Sequence, residues 1–334
     1  MKVTDFSDDQ LAGQRLMAGF DGTRLNENLK FLIKNLKIGG LILFRRNLIS
    51  PDQIRALCLD AQEYAVACRQ PPLLISIDQE GGQVARLKEP FTTFPGNPSM
   101  KSREDALNFA RITAAELKNL GINMNMAPVM DVPPENFKSV MEKRAFGNNP
   151  EWVAEMGSTV ITHLQQNKIM AVAKHFPGIG RTSLDSHLDA PFLDTELSEM
   201  ELTDLLPFKA AIHCKTAGIM LSHIRYTLID PARPASLSRM IAKDLLRDQM
   251  GYNGIILTDD LDMGAIKKYF TIQDSIRYIM DAEIDIALIC HQGPDISTAF
   301  EEIRELIRSS SSIRARCVES CLRMAELKKT FNLL

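Results

Sequence analysis

Eight short apolar runs recur along the chain: RLMAGF (15–20), GLILF (40–44), LLISID (73–78), INMNMAPVMD (122–131), MAVAKHF (170–176), GIMLSH (218–223), GIILTDD (254–260) and DIALIC (285–290). Most are continuously apolar, without alternation, which is the pattern of parallel strands buried on both faces. Amphipathic stretches of helical period lie between them. SPDQIRALCLDAQEYAV opens with Ser50 as N-cap, Pro51 at the first helical position and Asp52 in the first turn. LSEMELTDLLPFKAAIHC and STAFEEIRELIRSS carry the 3.6-residue spacing. Strand followed by helix, eight times over, predicts an α/β chain folded as a (β/α)8 TIM-type barrel. A doubly wound sheet is the alternative. It fits less well because GFDG, after the first run, lacks the spacing of a dinucleotide-binding turn. The stretch 311–331 predicts an extra C-terminal helix on the outside of the barrel. No repeat, low-complexity segment or flexible linker divides the chain, so 1–334 reads as a single domain.

Composition narrows the partners. The 334 residues carry a net charge of −3, a pI near 6.1 and no basic block, which argues against a nucleic-acid partner. No run approaches the ~18 apolar residues of a membrane span. The N-terminal MKVTDFSDDQLAGQRLMAGF has Asp5, Asp8 and Asp9 where a secretion signal needs an apolar run, so a cytoplasmic location is expected. The six cysteines are scattered; Cys317 and Cys321, four apart, share a helix face and do not form a zinc knuckle. They read as reduced thiols. Neither an HxxxH or CxxC metal motif nor a phosphate-binding glycine loop is present, so no metal and no cofactor are expected.

A barrel places its chemistry at the C-terminal ends of the strands and in the loops that follow. The polar residues fall there. Run three ends in Asp78 and continues QEGGQVAR; run four ends in PVMD, before a loop carrying EKRAFG. Run five ends in Lys174–His175, run six in Ser222–His223, run seven in Asp259–Asp260 and run eight in Cys290–His291. One such residue is ordinary solvated strand-end polarity; the same polarity repeated from strand to strand around one rim predicts an active site.

The segments LISIDQEGGQVARL, GINMNMAPVMDV, RAFG, AKHFPGIGRTSLDSHLDAP, LSHIRYTLIDPARPASLS and GIILTDDLDMGAI together resemble family 3 glycoside hydrolases, above all the single-domain bacterial β-N-acetylglucosaminidases (β-hexosaminidases) of cell-wall recycling. The resemblance runs from about residue 15 to residue 266, and the chain ends before the second α/β domain of the larger β-glucosidases. It implies a retaining exo-hydrolase acting through a covalent glycosyl-enzyme intermediate. Asp259 maps onto the nucleophile, an anion that both stabilises and captures an oxocarbenium-like centre. Lys174, Arg86 and Arg144 are the candidate cations keeping it ionised. The alternative is that Asp259 caps the next helix while Asp260 or Asp262 does the chemistry. Asp185 and His187 map onto the acid/base pair: imidazole titrates near neutral pH, and Asp185 would orient the ring.

Asp78, Arg86, Arg144, Lys174 and His175 match the sugar-binding set. For Arg86 and Lys174 a purely structural ion pair is the competing reading, and for His175 that of a rim histidine. His223 divides evenly between structural and substrate-facing roles, and His163 and His213 read as non-catalytic. Gly178 and Gly180 predict a mobile loop closing over substrate. The sequence departs from the family pattern at Ile179 and Arg181, and Gln83 stands where an Arg is frequent. Arg181 is a candidate contact for an anionic aglycone, such as a lactyl or peptide carboxylate. Trp152 is the lone tryptophan and sits in a helix-like segment, so no aromatic platform for polysaccharide is expected. A small soluble amino-sugar saccharide or muropeptide is the expected substrate, with a monomer as the expected form. A β-glucosidase or glycoside phosphorylase of the same family is the rival enzyme; a catalytically silent sugar-binding barrel is the rival of another class.

Overall fold

Each apolar run supplies one strand: β1 (Leu16–Ala18), β2 (Gly40–Leu43), β3 (Leu74–Ile77), β4 (Met124–Asn125), β5 (Met170–Phe176), β6 (Gly218–Leu221), β7 (Ile255–Asp260) and β8 (Ile286–Ile289). The computed structural model describes residues 2–184 and 191–334. Neighbouring strands pair in parallel, in chain order, and β1 closes on β8, giving the (β/α)8 barrel. The register sets Leu41 beside Ile75 and Ile255 beside Gly218. Every residue of β5 is buried, whereas the last two of β7, Asp259 and Asp260, are partly exposed. The apolar runs therefore end where the barrel opens.

Side-chain caps start the outer helices. Ser50 accepts from the Gln53 N–H and Pro51 opens the helix Pro51–Ala67. Ser102 and Asp105 form a reciprocal capping box, and Asn149 caps the helix Pro150–Gln166. Two patterns resolve differently from their sequence reading. The run 122–131 is strand only at Met124–Asn125: Pro128 has no N–H to give to a ladder, and pairing resumes as a single bridge between Val129 and Lys174. The stretch from Leu197 forms two helices, Leu197–Leu202 and Leu205–His213, because the Pro207 ring would collide with the carbonyl four residues back, at Thr203.

The C-terminal helix Ser311–Thr330 lies across the barrel's N-terminal end. Its Arg323 grips Asp285, just before β8, at 2.9 Å, and its Lys328 donates to Gln14, just before β1, at 3.2 Å. Asp285 is fully buried and also receives Arg247 at 2.7 Å. This end is closed by packing and charge, and the opposite end carries the site. Among the described residues no helix is long and apolar enough to cross a membrane.

Candidate active site

Asp78 and Glu80 flank one residue in extended chain after β3 and therefore point the same way. They start a chain of alternating charge. Arg86 meets Asp78 at 2.9 Å, Asp78 meets Lys174 at 2.9 Å, and Lys174 meets Glu80 at 2.6 Å. Glu80 then takes Arg144 through both carboxylate oxygens, at 2.7 and 3.0 Å. Arg144 lies 3.4 Å from His175 Nε2, and His175 Nδ1 lies 2.7 Å from Asp131. Burial opposes the charges of Asp78 and Glu80, but Lys174 with Arg86 for the first, and Lys174 with Arg144 for the second, holds each below its ordinary value. Lys174 is likewise pulled down by burial and raised, on balance, by Asp78 and Glu80. Charges this deep persist because each is paired.

The chain opens on a cavity of about 350 Å³, lined by Asp78, Arg86, Arg144, Lys174, His175 and Asp259. All five sequence-nominated sugar-binding residues thus share one cavity with the nominated nucleophile. The ion-pair reading for Arg86 and Lys174 also holds: each pairs with an acid and still faces the cavity. Ile42, Met220 and Leu288, from β2, β6 and β8, add apolar surface. Asp185 and His187, the nominated acid/base pair, lie outside the described residues.

Asp259 and its neighbour part ways electrostatically. Burial works to raise Asp259, but His223 and His175, the Asp260 N–H and Lys174 together bring it below its ordinary value. Of the three cations that the sequence nominates for it, Lys174 acts on Asp259, whereas Arg86 and Arg144 are committed to Asp78 and Glu80; His223 and His175 are its stronger neighbours. Asp260 is pushed up to about 6, chiefly by burial. Its Oδ1 accepts from the Asp262 and Cys290 backbone N–H groups, both at 3.0 Å. Asp262 is held by Lys267 at 2.5 Å and by the His291 N–H at 2.8 Å. Asp259 and Asp260 both line the cavity, but only Asp259 is held below its ordinary value, whereas Asp260 is raised. His223 is buried; its Nδ1 lies 2.6 Å from the Ser236 hydroxyl, and its Nε2 donates to the Asp260 carbonyl at 2.7 Å.

Asp131, Glu80 and Phe44 were not among the nominated site residues. Asp131 is fully buried at the end of run four. One of its oxygens accepts from the His175 and Ile179 N–H groups, at 3.3 and 2.8 Å, and the other takes His175 Nδ1. Three donors meet two oxygens, so neutral His175 keeps its proton on Nδ1 and turns Nε2 to the cavity as an acceptor. An Asn at 131 would set an N–H against a donor whichever way it turned. Asp131→Asn is accordingly expected to lower kcat/KM by about 10–100-fold. A kcat/KM within about twofold of the unmodified enzyme would reduce Asp131 to a packing role. Phe44 lines the cavity with the Arg46 and Arg86 guanidinium groups 4.8 and 5.3 Å from its ring centre, an aromatic face that attention to Trp152 alone misses.

In the segment after β5, Gly178 and Gly180 sit in close packing, while residues 185–190 of the loop expected to move lie outside the described residues. Gly178 has φ +128° and sits where a Cβ would be 2.9 Å from that of Asp204; at Gly180 a Cβ would be 2.1 Å from the Val132 carbonyl oxygen. The Tyr226 hydroxyl donates to the Gly178 carbonyl at 2.7 Å. Arg181 is not among the residues lining the cavity; its guanidinium binds Glu199 at 2.7 Å, Asp204 at 2.9 Å and Thr203 at 3.0 Å. Ile179 is buried at the cavity wall and Gln83 is exposed at its rim.

The profile of the glycosyl hydrolase family 3 N terminal domain matches residues 8–327. A beta-hexosaminidase of Nitrosomonas eutropha is 36% identical over 289 residues, covering 84% of this chain and 81% of that protein. The structure of a glycoside hydrolase family 3 beta-N-acetylglucosaminidase from Paenibacillus sp. superposes with a TM-score of 0.94 at 34% identity. It covers 98% of this chain, which spans 63% of the Paenibacillus one. NagZ from Neisseria gonorrhoeae, in complex with N-trifluoroacetyl-D-glucosamine, gives a TM-score of 0.75 at 28% identity, covering 91% of this chain and 95% of that one.

Proposed function

The chain belongs to glycosyl hydrolase family 3, and on that premise we propose that it is a retaining exo-β-N-acetylglucosaminidase, releasing terminal N-acetylglucosamine from soluble peptidoglycan-derived saccharides in the cytoplasm. The observation that carries this reading is an ionised Asp259 facing a cavity whose other polar walls are Asp78, Lys174, Arg86, Arg144 and His175. Paired acids and bases suit a neutral polyhydroxyl ring, because each carboxylate accepts and each cation donates in a fixed direction.

In the proposed reaction Asp259 attacks the anomeric carbon from one face as His187, oriented by Asp185, protonates the leaving oxygen from the other. A covalent glycosyl-Asp259 forms and the aglycone departs as an alcohol. His187, now neutral, takes a proton from water, which attacks the same carbon and releases Asp259 and the β-anomer of the sugar.

The test compares nitrophenyl β-N-acetylglucosaminide with the β-glucoside, with and without inorganic phosphate. The acetamido sugar is expected to be the better substrate by about 10²-fold or more in kcat/KM, since a site built to hydrogen-bond a group rejects the analogue lacking it. Free sugar is the expected product in both buffers. Sugar 1-phosphate would move the assignment to a phosphorylase, equal rates on both substrates to a broad β-glycosidase, and no turnover of either to a silent binding barrel.

A further inference from the structure

Asp185 and His187 lie between two described stretches of chain, one ending at Leu184 and the other starting at Pro191. A single buried residue, Tyr226, meets both stretches; it is 1% exposed. Its hydroxyl donates to the Gly178 carbonyl at 2.7 Å, on the first. Its backbone, in Arg225–Tyr226, pairs in parallel with Phe192–Leu193, on the second. The Arg225 and Thr227 N–H groups donate to the Pro191 and Leu193 carbonyls at 3.1 and 3.0 Å.

A second tie holds the first stretch four residues before Asp185. Three different nitrogens of the Arg181 guanidinium reach Glu199, Thr203 and Asp204 at once. The Thr203 hydroxyl passes its own proton to Asp204 at 2.7 Å. Asp204 is 1% exposed and sits between the helices Leu197–Leu202 and Leu205–His213, so the partner is itself fixed. A planar guanidinium bound through several donors fixes direction as well as distance, which an ammonium cannot do. Thr182 and Leu184 line the cavity, whereas Arg181, Asp204 and Tyr226 are not among its lining residues. The Thr182 carbonyl accepts from the Val140 N–H at 3.0 Å. The anchored chain thus stands at the cavity wall just before Asp185.

We propose that Arg181 and Tyr226 are positioning residues for the general acid of the reaction: they anchor the two ends of the segment that carries Asp185 and His187, and so set where the imidazole meets the leaving oxygen. The inference rests on the reading of His187 as the acid/base. A general acid works within hydrogen-bond reach of its target, about 2.6–3.2 Å, and a misplacement of about 1 Å costs up to about 10²-fold. The nucleophile stands on β7 and does not depend on these anchors. Loosening them therefore damages proton donation and spares attack by Asp259.

The test varies the leaving group. A dinitrophenolate departs without a proton, whereas a sugar hydroxyl needs one. The full chain and its variants are assayed on dinitrophenyl β-N-acetylglucosaminide and on the β-linked disaccharide of N-acetylglucosamine. In kcat/KM, Arg181→Met and Tyr226→Phe are expected to lose about 10–100-fold on the disaccharide and no more than about threefold on the dinitrophenyl glycoside. Arg181→Lys keeps one bond to Asp204 and is expected to recover part of the disaccharide rate. Azide needs no base: it forms its C–N bond at the anomeric carbon as the bond to Asp259 breaks. It is expected to raise kcat on the dinitrophenyl glycoside in both variants and to give the β-glycosyl azide. Each comparison is made within one preparation, so a variant that is partly unfolded loses both activities alike and keeps their ratio. Equal losses on both substrates in Arg181→Met and Tyr226→Phe, with His187→Ala still selective, would overturn the inference alone and leave the two residues to packing. Unselective loss in His187→Ala would overturn the acid/base reading and the inference with it.

Discussion

Asp259→Asn is expected to lower kcat on nitrophenyl β-N-acetylglucosaminide by about 10⁴-fold or more, over 5 kcal/mol of transition-state stabilisation. The substitution is nearly isosteric. An amide oxygen can still accept from the Asp260 N–H, now at 2.8 Å, so the fold should persist. What disappears is the anion that meets the developing positive charge and then bonds to it. Asp259→Ala supplies the sharper result. It opens space on the attacking face, and azide at high concentration is expected to restore turnover and give the α-glycosyl azide, since it enters opposite the leaving group. Asp260→Asn is the matching control. Burial pushes that acid up to about 6, and it holds backbone groups of Asp262 and Cys290, so its loss should cost well under the Asp259 effect. Activity above a tenth of normal in Asp259→Asn, or rescue giving the β-azide, would remove Asp259 from the nucleophile's place.

The assignment of Asp259 over Asp260 shows where sequence reasoning reaches its limit. The strand and its terminal pair Asp259–Asp260 are legible from the apolar run, and barrel topology says that such a pair lies at the rim. Which of the two is held below the ordinary carboxylate value and which is raised depends on neighbours far apart in sequence. His175 and His223 approach Asp259 from β5 and the end of β6, while Asp262 and burial act on Asp260. Periodicity carries no information about such convergence. The same holds for Arg181 and the two glycines: in a polar, glycine-rich stretch they suggest a loop reaching for substrate, yet Asp204 and Val132 hold them in close packing. The barrel itself was legible because continuous burial of parallel strands writes itself as uninterrupted apolar runs. The break at Pro207 was legible too, had the proline been weighed against the apolar period. Glu80 had a signal as well, two residues after Asp78 in extended chain, but acidic residues beside a strand end are common. Only its burial between Lys174 and Arg144 distinguishes it.

That burial makes Glu80 the second position of large effect. It is 2% exposed, lies behind the cavity wall, and is bonded to two of the three cations that line the cavity, Lys174 and Arg144. Glu80→Ala would leave Arg144 without its bidentate partner and Lys174 with Asp78 alone. Truncating one member of a buried charge pair typically costs about 3–5 kcal/mol, so a clear fall in Tm is expected. The loss in kcat/KM is expected at about 10²–10³-fold, because two guiding cations move at once. Glu80→Gln separates positioning from packing, since it keeps the shape and removes the charge. Glu80 is held below its ordinary value in the fold, so its stabilisation is full above the unfolded carboxylate range, about 4.3, and fades as pH falls through the lower folded value. The acid limb of the stability curve should therefore flatten in Glu80→Gln. Lys174 is raised partly by Glu80, so losing that anion lowers it. The alkaline limb of the pH–rate profile is then expected to move to lower pH in Glu80→Gln and to return toward its original place in Glu80→Asp. A rate loss with an unmoved alkaline limb would mean that Glu80 serves the fold without setting the charge of Lys174.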